Sequence, residues 1–197
     1  MISILDFGAA GNVRSVANAL ARLGAEFEVV RTLPNISGGL IIPGVGAFSA
    51  VKKMRQSLKG KRPDELPCPV LGICIGMQAL FDSSEEDENT NGLGVVGGKV
   101  RKLRGEVSLP QLGWNRVNVA KKDVLFDRIA DGSYFYYANS YAGFPADRKV
   151  VLATTDYGEV FPCAVRKGDV WGVQFHPEKS GKAGQKLLEN FISICRR

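Results

Sequence analysis

Residues 72–76 read Gly-Ile-Cys-Ile-Gly, and the chain's single histidine, His176, lies in the run GVQFHPEKS. A cysteine sulfur is a strong nucleophile as a thiolate, and an imidazole takes and returns a proton near neutral pH. Cys74 closes the short apolar run VLGIC and precedes IGMQALFD, whose pattern predicts a helix. G-x-C-x-G at such a switch matches the nucleophile elbow, with sulfur in place of the hydroxyl oxygen. An elbow holds its central residue in a sparsely populated backbone conformation, and glycine neighbours leave room for that turn. The side chain then stands clear of the sheet at a helix N-terminus, whose partial positive charge favours a thiolate. The N–H of Ile75 points to where an oxyanion would form. The plainer reading of any cysteine is a small core residue. It suits Cys68, Cys163 and Cys195; the two glycines and the strand-to-helix switch set Cys74 apart.

A thiolate nucleophile needs a base, and His176 is the one imidazole on offer. It follows the apolar strand VWGVQF and is followed by Pro177, which stiffens the turn, and Glu178, which can fold back to hold one tautomer. A lone histidine is ordinarily a satisfied core residue, and a lone loop glutamate is ordinarily exposed. Here both sit at a strand end, where ligands gather in open α/β sheets. A third segment, PGVGAF (43–48), follows the strand GGLII and precedes a helix, so its glycines free backbone N–H groups to approach a ligand. The similar turn GAAGN (8–12) is too weak alone to claim a phosphate site.

These residues need a scaffold that brings strand ends together. The opening ISILDF reads as a strand, VRSVANALARLG as an amphipathic helix stopped by Gly24, EFEVVR and GGLIIP as strands, and AFSAVKKMRQSL as a helix. This alternation with near-continuous apolar strands predicts a parallel sheet covered on both faces. Later segments, GVVGGKVRKL, WNRVNVA, YFYYANSY and VVLATTDYG, read as strands with short connections. CAVRKGDVWGVQF reads as a hairpin turning at KGD, and AGQKLLENFISICRR as the last helix. The expectation is one α/β domain over 1–197. Its sheet is mixed and largely parallel, flanked by helices on both faces, with an antiparallel insertion in the second half.

Composition narrows the classes. Hydrophobic residues make up 45% of the 197 positions, enough for a sizeable core. No run reaches the roughly 18 apolar residues of a membrane span, and MISILDFGAAGN does not read as a signal peptide. A cytoplasmic protein with no membrane association is expected. Four scattered cysteines without a C-x-x-C pair, beside one histidine, indicate neither a zinc site nor a disulfide framework; no metal or cofactor is expected. The formal net charge of +6 interleaves both signs, and no groove-entering motif accompanies it, so nucleic acid is not expected. The basic run GGKVRKLRG and the acidic run SSEEDENTNG (83–92) read as solvated faces, the second as an exposed loop.

Taken together, GICIGMQ, PGVGAF and QFHPEKS resemble the nucleophile, oxyanion and His-x-Glu motifs of class I (triad) glutamine amidotransferases, in that family's order and across essentially the whole chain. Within the family, the opening ISILDFGAAGNVRSVANALARLG, the stretch PQLGWN and the full GVQFHPEKS are similar to the glutaminase subunits of imidazole glycerol phosphate synthase, an enzyme of histidine biosynthesis. The resemblance implies that Cys74, His176 and Glu178 form the triad. It implies backbone N–H groups of Val45, Gly46 and Ile75 at the oxyanion, and Gly46, Gln78, Asn139, Ser140 and Tyr141 at L-glutamine. It further implies a heterodimer in which ammonia passes to a (β/α)8-barrel cyclase subunit. Two positions depart from the pattern: Gln111 and Asn139 stand where the family commonly has histidine. Two alternatives stay open at this point: a glutaminase subunit serving another acceptor, and a non-catalytic redox or chaperone protein on the same elbow.

Overall fold

The computed structural model describes residues 1–8, 12–33 and 38–196. The first half alternates as its apolar pattern demands: β1 (Ile2–Leu5), α1 (Val13–Arg22), β2 (Phe27–Val30), β3 (Gly39–Ile42), α2 (Val51–Ser57), β4 (Val70–Ile73) and α3 (Ile75–Gln78). The second half is mostly strand: β5 (Ser83–Ser84), β6 (Gly98–Lys102), β7 (Gln111–Arg116), β8 (Asn118–Val119), β9 (Tyr134–Asn139), β10 (Tyr141–Pro145), β11 (Val151–Asp156), β12 (Val160–Lys167) and β13 (Val170–Val173). The chain closes with α4 (Gly181–Ile194).

Among the described residues the main sheet has eight strands in the order β2-β1-β3-β4-β13-β12-β11-β8. Strands β2 to β13 in that order pair in parallel, and β13 to β8 pair antiparallel. Two small ribbons accompany it: β7-β9 is antiparallel, and in β10-β6-β5 the β10–β6 pair is antiparallel and the short β5–β6 pair parallel. The expected mixed, largely parallel sheet is therefore the one observed.

A two-residue side-chain period puts a core on each face of the sheet. Ile2, Ile4, Ile41, Leu71 and Ile73 pack with Val16 and Leu20 of α1 and Leu187, Leu188 and Phe191 of α4. Their neighbours Leu5, Leu40, Ile42 and Val70 pack on the other side with Val51 and Met54 of α2 and Met77 of α3. β12 and β13 turn at Gly168–Asp169, within the expected KGD.

Three expectations change. The helix expected over IGMQALFD is regular only through Gln78. The carbonyls of Ala79, Leu80 and Phe81 accept instead from the N–H groups of Leu93, Val95, Val96 and Gly94, so a distant loop ends the helix. WNRVNVA is not one strand: β7 stops at Arg116 and pairs with β9, whereas Asn118–Val119 cross to the edge of the main sheet. The acidic run 83–92 is not wholly solvated. Ser83–Ser84 pair with β6, Ser84 and Thr90 are buried, and Glu86 Oε2 accepts from the Phe48 N–H at 2.8 Å.

Candidate active site

β4 and β13 are parallel neighbours in the register Gly72↔Gly172 and Ile73↔Val173. Both strands end at the same level, so the residues that follow them, Cys74 and Gln174–His176, emerge side by side. The N–H of Cys74 donates to the Val173 carbonyl at 2.8 Å. β3 runs on the other side of β4 with Ile42 opposite Gly72, and delivers the 43–48 segment to the same end.

Cys74 has φ 55° and ψ −108°, the strained backbone of an elbow. The close packing of strand against helix explains its glycine neighbours. A Cβ on Gly72 would come within 2.5 Å of the Gly76 carbonyl oxygen, and one on Gly76 would overlap the Ile42 carbonyl oxygen. Ile75, Gly76 and Met77 form the first turn of α3, where helix geometry leaves N–H groups without intrahelical acceptors. A four-residue helix has little macrodipole, so any charge stabilisation from α3 comes from these local N–H groups.

His176 is fully buried, and its side chain and that of Glu178 are closed to solvent. Its N–H donates to the Tyr136 carbonyl at 2.8 Å, and Ser180 Oγ donates to its carbonyl while accepting from the Tyr136 N–H at 2.9 Å. The turn is thus clamped to β9. Nδ1 lies 2.9 Å from Glu178 Oε1. A carboxylate only accepts, so Nδ1 carries a proton toward it, and Nε2 is the position that gains and gives up the second proton. Nε2 is buried with no aligned hydrogen-bond partner, and Cys74 is the first of the groups that favour the charged ring. Such contacts are often loose before substrate binds. Burial works against the imidazolium, but interaction with Cys74 and then Glu178 outweighs it, raising the His176 pKa from 6.5 to about 9.

A cavity of about 170 Å³ opens beside the sulfur, lined by Gly46, Cys74, Ile75, Gln78, Glu86, Pro110, Ala138, Asn139, Ser140 and Tyr141. At about 30 Å³ per water this holds only a small metabolite. Each residue the sequence assigned to substrate lies on its wall; of the oxyanion candidates Gly46 and Ile75 do, and Val45 does not. Gly46 has φ +111°, a conformation an L-residue side chain resists. Gln78 Oε1 and Asn139 Oδ1 are buried and unpartnered, because both amide nitrogens donate to the Tyr141 carbonyl at 3.0 Å. The two departures from the motif pattern, Gln111 and Asn139, face each other across β7 and β9. A larger groove of about 930 Å³ lies between Arg101, Phe144 and Val160, but neither a cysteine nor a histidine borders it.

Three residues at the site were not legible in the sequence. Asn12 precedes α1 but does not cap it; its Nδ2 donates to Glu178 Oε1 at 2.7 Å and lies 3.1 Å from His176 Nδ1. Gln174 Nε2 donates to Cys74 Sγ at 3.6 Å. Glu86, from the acidic run, lines the cavity. The other thiols are muted: burial raises the pKa of Cys68, takes Cys163 to about 11, and with the charge of Cys68 takes Cys195 to about 12. Among the described residues no helix is long and apolar enough to cross a membrane.

The sequence profile of the glutamine amidotransferase class-I family matches residues 3–195. The imidazole glycerol phosphate synthase subunit HisH of Bacillus cytotoxicus is 42% identical over 207 residues, covering 100% of this chain and 96% of its own length. The subunit of the same name from Dehalococcoides mccartyi is 42% identical, covering 99% and 98%. A crystal structure of a glutamine amidotransferase shares the fold, with a TM-score of 0.75 at 22% identity over 100% of this chain and 99% of that one. The structure of PurLQS from Thermotoga maritima does so at 0.71 and 16%, over 98% and 97%. With matches that run the length of the sequence, the chain belongs to the class-I glutamine amidotransferases, in the family of the imidazole glycerol phosphate synthase HisH subunits.

Proposed function

We propose that the chain is the glutaminase subunit of an imidazole glycerol phosphate synthase. It acts in the cytoplasm as a single amidotransferase domain over 1–197, in a heterodimer with a (β/α)8-barrel cyclase subunit. It hydrolyses L-glutamine to glutamate and passes the ammonia to the cyclase, which makes imidazole glycerol phosphate and an aminoimidazole carboxamide ribonucleotide. The observation that carries this reading is the strained Cys74 on the wall of a metabolite-sized cavity, backed by a buried His176–Glu178 pair.

The chemistry follows from those positions. The Cys74 thiolate attacks the side-chain carbonyl carbon of glutamine, and the carbonyl oxygen becomes an oxyanion held by N–H groups of Ile75 and the Val45–Gly46 segment. His176 Nε2 gives a proton to the departing nitrogen, which leaves as ammonia, and a glutamyl thioester remains. His176 then takes a proton from water, the hydroxide attacks the thioester, and glutamate departs as the C–S bond breaks. Glu178 holds the imidazole through Nδ1, and Asn12 holds Glu178. Gly46, Gln78, Asn139, Ser140 and Tyr141 bind glutamine, with the free Oε1 and Oδ1 atoms as acceptors. Glu86 offers a carboxylate to the α-ammonium group.

The test is ammonia release from glutamine by the isolated chain and by its complex with a ligand-loaded cyclase. One N–H of the oxyanion site is worth about 10²–10³-fold in rate, and activation of at least that size is expected. Failure of the loaded complex to hydrolyse glutamine would overturn the proposal.

A further inference from the structure

Gln174 reaches the reacting sulfur and has no part in the mechanism above. It is fully buried in the link between β13 and His176, with Nε2 3.6 Å from Cys74 Sγ. The two ends of a carboxamide have similar shapes, so its orientation must come from its partners. The Tyr141 backbone carbonyl supplies the starting point, because it can only accept. Gln78 must present its NH2 group there, at 3.0 Å. The other hydrogen of that NH2 group then meets Gln174, whose oxygen must accept it, also at 3.0 Å. With its oxygen engaged by Gln78, Gln174 turns its own NH2 group onto the sulfur. The reverse orientation would set NH2 against NH2 at one end and a lone pair against sulfur at the other.

We infer that Gln174 is a further catalytic residue, whose side-chain N–H hydrogen-bonds the Cys74 thiolate, and that Gln78 is a positioning residue that fixes the direction of this donor. The inference rests on Cys74 being the nucleophile of the proposed reaction. The titratable groups beside the sulfur or on its cavity wall are His176, with Glu178 behind it, Glu86 and Tyr141. His176 changes charge within each turnover; Gln174 does not. Its donor therefore serves the sulfur at both ends of the cycle. It stabilises the anion before attack, and again when the C–S bond of the tetrahedral intermediate breaks and the electron pair returns to sulfur. No proton leaves Gln174 in either step.

The experiment uses Gln174→Glu, which replaces the donor by an acceptor of equal size, and Gln174→Met, which removes it. The readout is the pH profile of Cys74 alkylation by iodoacetamide, followed by peptide mass. A hydrogen bond to a charged group corresponds to about one to two pH units, and both variants should shift the profile upward by that amount. In the complex with the cyclase, kcat for glutamine hydrolysis should fall by about tenfold or more, with KM within a few-fold. A merely structural role would lower the melting temperature and leave the profile in place. A wild-type measurement covers the case in which neither variant folds: the Gln174 side-chain NH2 resonances should move when Cys74 is alkylated. An unchanged profile in folded variants, or NH2 resonances indifferent to alkylation, would overturn the inference. Alkylation needs no substrate, so this result is separable from any failure to hydrolyse glutamine.

Discussion

His176 is the one histidine in the chain, so its ring gives a single imidazole signal by NMR and can be titrated without assignment. Its folded pKa of about 9 is a balance in which burial lowers it, and Cys74 and then Glu178 raise it from 6.5. Cys74→Ala deletes the sulfur and leaves burial and Glu178 in place. A nearby opposite charge is worth about 1–3 pH units, so the variant's ring should titrate between about 6 and 8. The linkage sign follows from the raised value. Stability from His176 is fully present below pH 6.5 and is lost as pH rises through about 9. Urea melts of the wild type should therefore show a decline across that window, and in Cys74→Ala the decline should end at lower pH. The assay is a ring titration of both proteins from acid to alkaline pH. The same midpoint in both would refute the argument that the sulfur and the imidazole form one electrostatic unit.

Asn12→Ala removes a donor from a buried carboxylate, and should lower kcat by about tenfold while KM for glutamine stays within a few-fold; steady-state kinetics with the cyclase present checks this. Cys74 should be alkylated before Cys68, Cys163 and Cys195, whose pKa values burial raises, as peptide mass mapping after brief labelling at neutral pH would report. Gly76→Ala drives a methyl into the Ile42 carbonyl and should cost about 3 kcal/mol or more, read as a lowered urea midpoint. Gly46→Ala meets no atom within 4 Å but resists φ +111°, so it should leave the fold intact and blunt activation by the loaded cyclase.

The parallel half of the fold was legible because its signals are local. Alternating apolar runs make β1, β3 and β4, and the spacing of Val16 and Leu20 makes the buried stripe of α1. The elbow was legible for a similar reason: the Gly72 and Gly76 requirements fall within five residues of sequence. What was missed depends on remote partners. α3 ends early because the 92–96 loop takes its next carbonyls, and no residue within the helix announces that. WNRVNVA divides because its two ends pair with different sheets. Asn12 is only the last residue of the GAAGN turn in the sequence, and the fold alone brings it to Glu178, 166 positions away. Gln174 reads as one more residue at a strand end until Cys74, 100 positions earlier, folds beside it. Glu86 was hidden in an acidic run that reads as an exposed loop until β5 and the Phe48 N–H draw it to the cavity.

The central claim is that glutamine is cleaved through a thioester on Cys74, and trapping the intermediate tests it most directly. The complex with the loaded cyclase would be mixed with isotopically labelled glutamine, quenched in acid within the first turnovers, digested and read by mass spectrometry. The account predicts a glutamyl group on the peptide carrying Cys74, and neither adduct nor ammonia from Cys74→Ala. Glutamine hydrolysis that persists in Cys74→Ala, or a glutamyl group carried by a different residue, would contradict it.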